Sequence, residues 1–210
     1  MQLPKMSTEK PKQRLSSNEK CGYENFLKQQ FSQKSPNLAW VSDFTYLKAG
    51  SKWYYLRVII DLYSRKVISW CLSSSPSVEL VLSAFKKAYA LRNEPYGLMF
   101  HSDRGTQYTA FAFRKLLDSL HVVQSFSKKG YPFDNAVCEA FFKYLRKEET
   151  DRRTYHSFEE LRLSIFEYIE GYYNSRRPHC SLGYLTPNEM EYSWWTSHSS
   201  YFFLFLCLLY

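Results

Sequence analysis

Between Trp40 and Leu72 the apolar residues fall into three short runs with strand texture. In WVSDFTYL the alternation places Asp43 on the same side as Val41, Thr45 and Leu47. The turn signal Ala49-Gly50-Ser51 leads to WYYLRVIID, which is almost continuously apolar, and Leu62-Tyr63-Ser64-Arg65 leads to KVISWCL. Two short connections between three strand signals predict an antiparallel meander. The period then changes. Pro76 and Ser77 open a predicted helix, VELVLSAFKKAYALR, with Leu80, Ala84, Ala88 and Leu91 at helical spacing. A strand (GLMFHSD), a helix (FAFRKLLDSL) and a short strand (VVQSF) follow. Three antiparallel strands followed by strand and helix alternation predict an α/β fold with a mixed sheet.

Two further helices are written in the same code. In DNAVCEAFFKYLRKEE, Asp134 is suited to cap the N-terminus, and Val137, Phe141, Tyr144 and Leu145 make one apolar stripe. Glu139, Lys143 and Arg146 fall on the other side, within a sector of about 60°. Taken alone, ion pairs on a wet face account for that file. Ser157 and Glu160 form a capping box before FEELRLSIFEYIEGYYN, whose Phe158, Leu161, Ile165, Tyr168 and Tyr172 predict a packing stripe. The punctuated segment RRPHCSLGYLTP comes next. Its Arg176 and Arg177 suit either a nucleic-acid contact or the closing of a helix end.

Composition narrows the class. With 210 residues, 45% hydrophobic and 23% charged, the chain has material for one domain with a proper core. Five scattered cysteines without a C-x-x-C pair, and a polar N-terminus, argue against a disulfide scaffold or a secretory signal and for a cytoplasmic protein. No apolar run approaches the roughly 20 residues of a membrane span. The net charge of +8 makes a polyanion the first partner to consider. Half of it lies in residues 1–35 (7 − 3 = +4) and half in residues 36–192 (21 − 17 = +4). We therefore expect a basic, disordered leader over 1–35, a folded core domain over 36–192, and an uncharged aromatic tail over 193–210 with the texture of non-native read-through.

The chemistry concentrates in carboxylates. Asp103 ends a strand in HSDRGTQY, where Gly105 permits a tight turn, and ligands collect outside the carboxyl ends of strands in open α/β sheets. Asp43 lies in a strand between Trp40 and Phe44, a costly place for a lone charge. Either Asp43 is bonded to backbone alone, or Asp43, Asp103 and Glu139 converge. Converging carboxylates repel one another unless a cation holds them, and hard oxygen donors select Mg²⁺ or Mn²⁺. His101 shares a strand face with Asp103 and reads as structural. The remaining histidines have no zinc spacing.

WVSDFTYL, FHSDRGTQYT, the 35 residues between Asp103 and Glu139 (139 − 103 − 1), KKGYPFDNAVCEAFFKYLRKEE and YNSRRPHCSLGYLTPNE occur in that order. Together they resemble the catalytic core of insertion-sequence transposases of the IS-three type, relatives of the retroviral integrases, from about Pro36 to Tyr192. The resemblance implies an RNase H-like fold with a five-stranded mixed sheet flanked by helices. It also implies a D-D-E triad of Asp43, Asp103 and Glu139. Asp43 would bridge two Mg²⁺ ions (Mn²⁺ as substitute), with Asp103 and Glu139 holding one each. Arg146 matches the basic residue that the family places near DNA seven positions after the glutamate, and Lys143, Lys128 and Lys129 are further candidate DNA contacts. The activity implied is DNA strand cleavage and strand transfer in transposition, by a homo-oligomer assembled on element ends and target DNA. Since family members carry a helix-turn-helix region before the core, a separately encoded helix-turn-helix protein is an implied partner. A truncated copy surviving as a catalytically silent DNA-binding remnant, interfering with an intact transposase, is the alternative.

Overall fold

The computed structural model describes residues 22–207, and all residue-level statements below concern these. The meander forms as its alternation predicts: β1 (Ala39–Ala49), β2 (Lys52–Asp61) and β3 (Val67–Ser73) are antiparallel neighbours. Helix α1 (Val78–Leu91) follows, with the Ser77 hydroxyl accepting from the Leu80 amide as its N-cap. The chain then crosses to β4 (Met99–Ser102), passes through the short α2 (Thr106–Thr109) and α3 (Phe111–Ser119), and enters β5 (Val123–Phe126). Both late strands are parallel, β4 to β1 and β5 to β4, so the sheet order is β3-β2-β1-β4-β5. Helices α4 (Ala136–Glu148), α5 (Phe158–Phe166) and α6 (Pro187–Cys207) complete the domain.

Each face of the sheet is buried against helices. Val41, Leu47, Leu56, Val58 and Ile60 pack against Phe141 and Leu145 of α4 and Leu161 and Ile165 of α5. Trp40, Ile59 and Phe100 pack on the opposite face with Phe85 of α1 and Phe113 and Leu117 of α3. Phe85, Phe100 and Phe113 meet edge to face at 5.3–5.8 Å, an arrangement that adds stabilisation beyond area burial. Much of the aromatic content is therefore core.

The helical stripes bury Ala84, Ala88, Phe141, Leu145, Leu161 and Ile165 as expected and differ at their margins. In α1 the buried residues are Val81, Ala84, Phe85 and Ala88, and Leu91 is 62% exposed. In α4 Cys138, Phe141, Phe142 and Leu145 face inward, while Tyr144 is partly exposed. After Phe166 the helix widens into a π turn over Glu167–Tyr173, and the Asn174 amide reaches back to the Ile169 carbonyl. That extra residue per turn brings Ile169 and Tyr173 inward and leaves Tyr172 41% exposed.

Residues 22–35 fall within the leader expected from sequence and are laid against the domain edge. Glu24 accepts from the Phe126 amide, and the Ser125 hydroxyl accepts from the Phe26 and Leu27 amides. Residues 1–21 of that leader lie outside the described residues, as do 208–210 of the tail. Within the tail, α6 runs on past Tyr192, and the Trp194 ring contacts Tyr63 at 6.5 Å. No helix among the described residues is long and apolar enough to cross a membrane.

Candidate active site

The β4 strand pairs with β1 only over residues 39–42, so the two parallel strands part at Ser42 and Ser102. Asp43 and Asp103 are the next residues on each, and Glu139 lies in the first turn of α4, which packs across β1. All three carboxylates line one cavity of about 710 Å³, together with Arg104, Gly105, Ser127, Lys128, Lys129, Gly130, Tyr131 and Asn135. Parting strands leave a cleft at a carboxyl end because backbone groups released from the ladder must find other partners.

Local hydrogen bonds orient two of the acids. Asp43 Oδ1 accepts from the Phe44 amide and Asp103 Oδ1 from the Gly105 amide, at 2.8 and 3.0 Å. Each carboxylate thus retains a second oxygen for the cavity. A Cβ at position 105 would stand 3.0 Å from Asp103 Oδ1, so glycine lets that turn close over the acid. Burial pushes the Asp43 carboxyl up to about 7. The Phe44 N–H opposes the rise, Asp103 adds to it, Arg57 opposes it, and Glu139 adds to it.

The set is open. Among the described residues no three His, Cys, Asp or Glu side chains are drawn tightly enough to enclose a metal ion. The carboxylates share a cavity without closing on one point. Such a donor set fits Mg²⁺, which binds through one or two carboxylates and keeps several waters, better than a metal that needs an all-protein cage.

The candidate DNA contacts divide. Lys128 and Lys129 line the carboxylate cavity and are exposed. Lys143 is exposed on α4 outside it. Arg146 also lies outside: its Nη2 donates to Thr45 Oγ1 at 2.7 Å and approaches the Tyr46 carbonyl at 3.5 Å, tying α4 to β1. Arg177 is committed too, forked onto Glu148 at 2.9–3.1 Å and stacked over the Tyr144 ring at 3.9 Å.

Asp134 does not cap α4. It sits in a 3₁₀ turn ahead of that helix (Pro132–Asn135), where its carboxylate accepts from Asn25, Gln29 and the Lys128 amide. Burial works against its charge, yet these donors hold it below the usual carboxylate range. It therefore fastens residues 22–35 and the lysine loop together. His101 is buried between the Ser125 and Ser127 hydroxyls, and burial lowers it to about 4, so it is a neutral structural residue.

Residues that sequence reasoning passed over are Arg104, Tyr131 and Asn135 in the cavity wall, and Arg57 in β2. Arg57 is 1% exposed, and its Nε and Nη1 have no partner. Its guanidinium lies 4.8 Å from the Tyr108 ring centroid and 5.7 Å from that of Phe44. The only signal was a charge inside the apolar run WYYLRVIID.

The integrase core domain family matches residues 33–132 and 120–187 of the chain. A transposase for insertion sequence element IS904 of Lactococcus lactis is 36% identical over 80% of the chain and 66% of the relative. Transposase InsF for insertion sequence IS3fB of Escherichia coli is 38% identical over 80% of the chain and 58% of the relative. The chain thus spans about three-fifths to two-thirds of the length of these relatives. The structure resembles the simian T-cell lymphotropic virus intasome (TM-score 0.60, 20% identity, 76% of the chain and 56% of that chain). It also resembles the HTLV-2 integrase catalytic core domain in complex with magnesium (0.54, 19%, 75% and 98%) and the Mos1 mariner transposase catalytic domain (0.56, 16%, 65% and 71%). The shared architecture is RNase H-like, as the sequence resemblance implied.

Proposed function

The chain belongs to the integrase core domain family, as an insertion-sequence transposase core of the retroviral integrase-like superfamily, and from that premise we propose that it cleaves and joins DNA strands with Asp43, Asp103 and Glu139. The observation that carries this reading is the meeting of three carboxylates from β1, the β4 exit and α4 on one cavity. Oxygen donors of this kind suit divalent cations. The HTLV-2 integrase catalytic core domain, solved in complex with magnesium, supports their use.

Asp43, Asp103 and Glu139 would hold the ions. When bound, a divalent pair supplies activation of an attacking oxygen and stabilisation of a leaving oxygen in an in-line displacement at phosphorus. The remaining work belongs to the protein. Gly105 keeps Asp103 turned into the cavity, and Arg146 keeps α4, and with it Glu139, seated against β1. Lys128 and Lys129 would hold the DNA backbone near the acids, contacts that position the strand without reading sequence. No side chain forms a bond to DNA, so neither a serine nor a tyrosine nucleophile is required. Lys143 would reach a phosphate from its exposed position on α4. Element-end recognition falls to a helix-turn-helix region or partner protein, and the active form is a homo-oligomer on DNA.

The test is Asp103→Asn in the full chain, assayed for Mg²⁺-dependent nicking and strand transfer. Loss of a ligand worth several kcal/mol in the transition state lowers the rate about a hundredfold or more. The fold should remain intact by circular dichroism. Undiminished cleavage would overturn the assignment.

A further inference from the structure

A second cavity, of about 340 Å³, opens where β1 has outrun β4. Its wall carries two exposed rings, Tyr46 (48%) and Trp53 (59%), and the cations Lys48, Arg146 and Arg153, against Asp151. Glu149 engages Arg153 at 3.2 Å, and Arg146 is anchored through Thr45 Oγ1, while Lys48 is exposed. The Tyr46 ring is buttressed by Tyr55 at 5.0 Å and Phe44 at 5.6 Å. A ring braced in that way presents a preformed surface, and it belongs to the strand that carries Asp43.

We propose that this cavity takes an unpaired nucleotide of the DNA strand engaged at the carboxylates, with its base stacked on Trp53 and Tyr46 and its phosphate beside Lys48. This inference rests on the reading of DNA as substrate. Three features favour this occupant. Aromatic rings interleaved with cations are the chemistry of single-strand binding, where every base offers a π face and the backbone offers charge. The volume lies at the lower end of the range for small-ligand sites, which suits one nucleotide and excludes a duplex. The site also lies on β1, the strand that carries Asp43, with Tyr46 and Lys48 on the strand face opposite that acid, so an engaged strand passes over the free β1 edge. Tyr46 and Lys48 are three and five residues beyond Asp43, or about 10 and 17 Å at strand rise.

The experiment measures equilibrium binding of the full chain in EDTA to a blunt duplex and to the same duplex carrying a single-stranded extension, with 2-aminopurine placed at successive extension positions. Wild type should bind the extended duplex about 5- to 150-fold more tightly, the range of one stacked base, and should quench one or two adjacent positions. Trp53→Ala should abolish that advantage while leaving blunt-duplex affinity unchanged, and Trp53→Phe should retain most of it. An extension without effect, equal weakening of both duplexes by Trp53→Ala, or a shift in sedimentation showing that Trp53 binds a second copy would each overturn the proposal. The measurement is metal-free. Failure here with Asp103→Asn still inactive removes only the stacking site, whereas intact stacking with an active Asp103→Asn removes only the catalytic assignment.

Discussion

Two desolvated acids on this fold, one buried and one half-buried, meet opposite fates. Glu191 on α6 is 5% exposed and is ringed by Arg92 at 2.6 Å, Lys66 at 3.2 Å and the Ser64 hydroxyl at 2.8 Å. Burial opposes its charge, yet Arg92, Lys66 and Ser64 hold its carboxyl below the usual range. Asp43 on β1 has no ion-pair partner within reach among the described residues. Its oriented oxygen accepts one backbone amide, and it faces two further acids. The first arrangement is a finished interaction that closes the α1–β3–α6 corner. The second is an unfinished one, a concentration of negative charge that costs the fold stability and that, on the proposed reading, a divalent cation would offset. Desolvation is common to both, so desolvation does not mark a functional acid. A missing counter-charge alone does not either, since among the described residues Asp61 is buried without an ion pair and accepts only backbone amides; what sets Asp43 apart is that its cavity holds two further acids.

Neutralising one acid in each place breaks the comparison most sharply. Asp43→Asn or Glu139→Gln should leave thermal stability unchanged or slightly raised, and should lower Mg²⁺-dependent strand cleavage by several kcal/mol of transition-state stabilisation, about a hundredfold or more. Glu191→Gln should do the reverse. It leaves Arg92 and Lys66 without their carboxylate, at a cost of about 3 kcal/mol in denaturant unfolding, while cleavage measured on folded protein stays within a few-fold of wild type. If Glu139→Gln destabilised the fold as much as Glu191→Gln, the cavity acids would be structural after all.

The comparison also shows how much was legible beforehand. The strand carrying Asp43, the turn carrying Asp103 and the helix carrying Glu139 could be read from alternation, a Gly-containing turn and helical period. Their grouping came from the family resemblance, since no local pattern brings residues 43, 103 and 139 together. The centres of the helix faces, Ala84, Ala88, Phe141, Leu145, Leu161, Ile165 and Tyr168, were read as they lie, and their margins were not. Exposed Leu91, Tyr144 and Tyr172 stood in for buried Val81, Cys138 and Tyr173, and a π turn that no periodicity announces caused the last of these shifts. The ties that spend charges on structure were illegible for the same reason. Arg146 with Thr45, Arg177 with Glu148 and Asp134 with Gln29 span 101, 29 and 105 residues. A residue type at a motif position does not say whether its charge is already taken.

Acid titration offers a smaller test on the same principle. His179 packs edge-on against Tyr173 at 4.7 Å, its Nε2 has no partner, and burial with the neighbouring Arg177 charge lowers it from 6.5 to about 4. Its unfolded counterpart takes up a proton near pH 6.5, and the folded ring does not until about pH 4. The stability it contributes is therefore complete above pH 6.5 and is lost as pH falls toward 4. The loss should amount to about 1 to 2 kcal/mol, allowing for water in the adjoining cavity. His179→Gln should flatten the unfolding free energy over that window. An unchanged slope would assign the acid lability to other groups.

The smallest expected effect concerns a cation placed as awkwardly as Asp43. Arg57 is buried beneath the sheet's active end with two guanidinium nitrogens unpartnered, and its compensation is the Tyr108 and Phe44 rings and a diffuse attraction to Asp43. Unpaired buried donors cost about 1–3 kcal/mol, and the ring contacts return part of that. Arg57→Met keeps most of the volume while removing the charge, and should raise unfolding stability by about 1 kcal/mol. A parallel titration of the two proteins with Mn²⁺, followed by electron paramagnetic resonance, separates fold from site. Removing a positive charge near the carboxylates should tighten Mn²⁺ binding, because the buried guanidinium and an incoming cation compete for the same negative field. A destabilised Arg57→Met protein with unchanged Mn²⁺ affinity would mean that Arg57 is satisfied by its rings, and that the excess charge of the cavity belongs to the three acids alone.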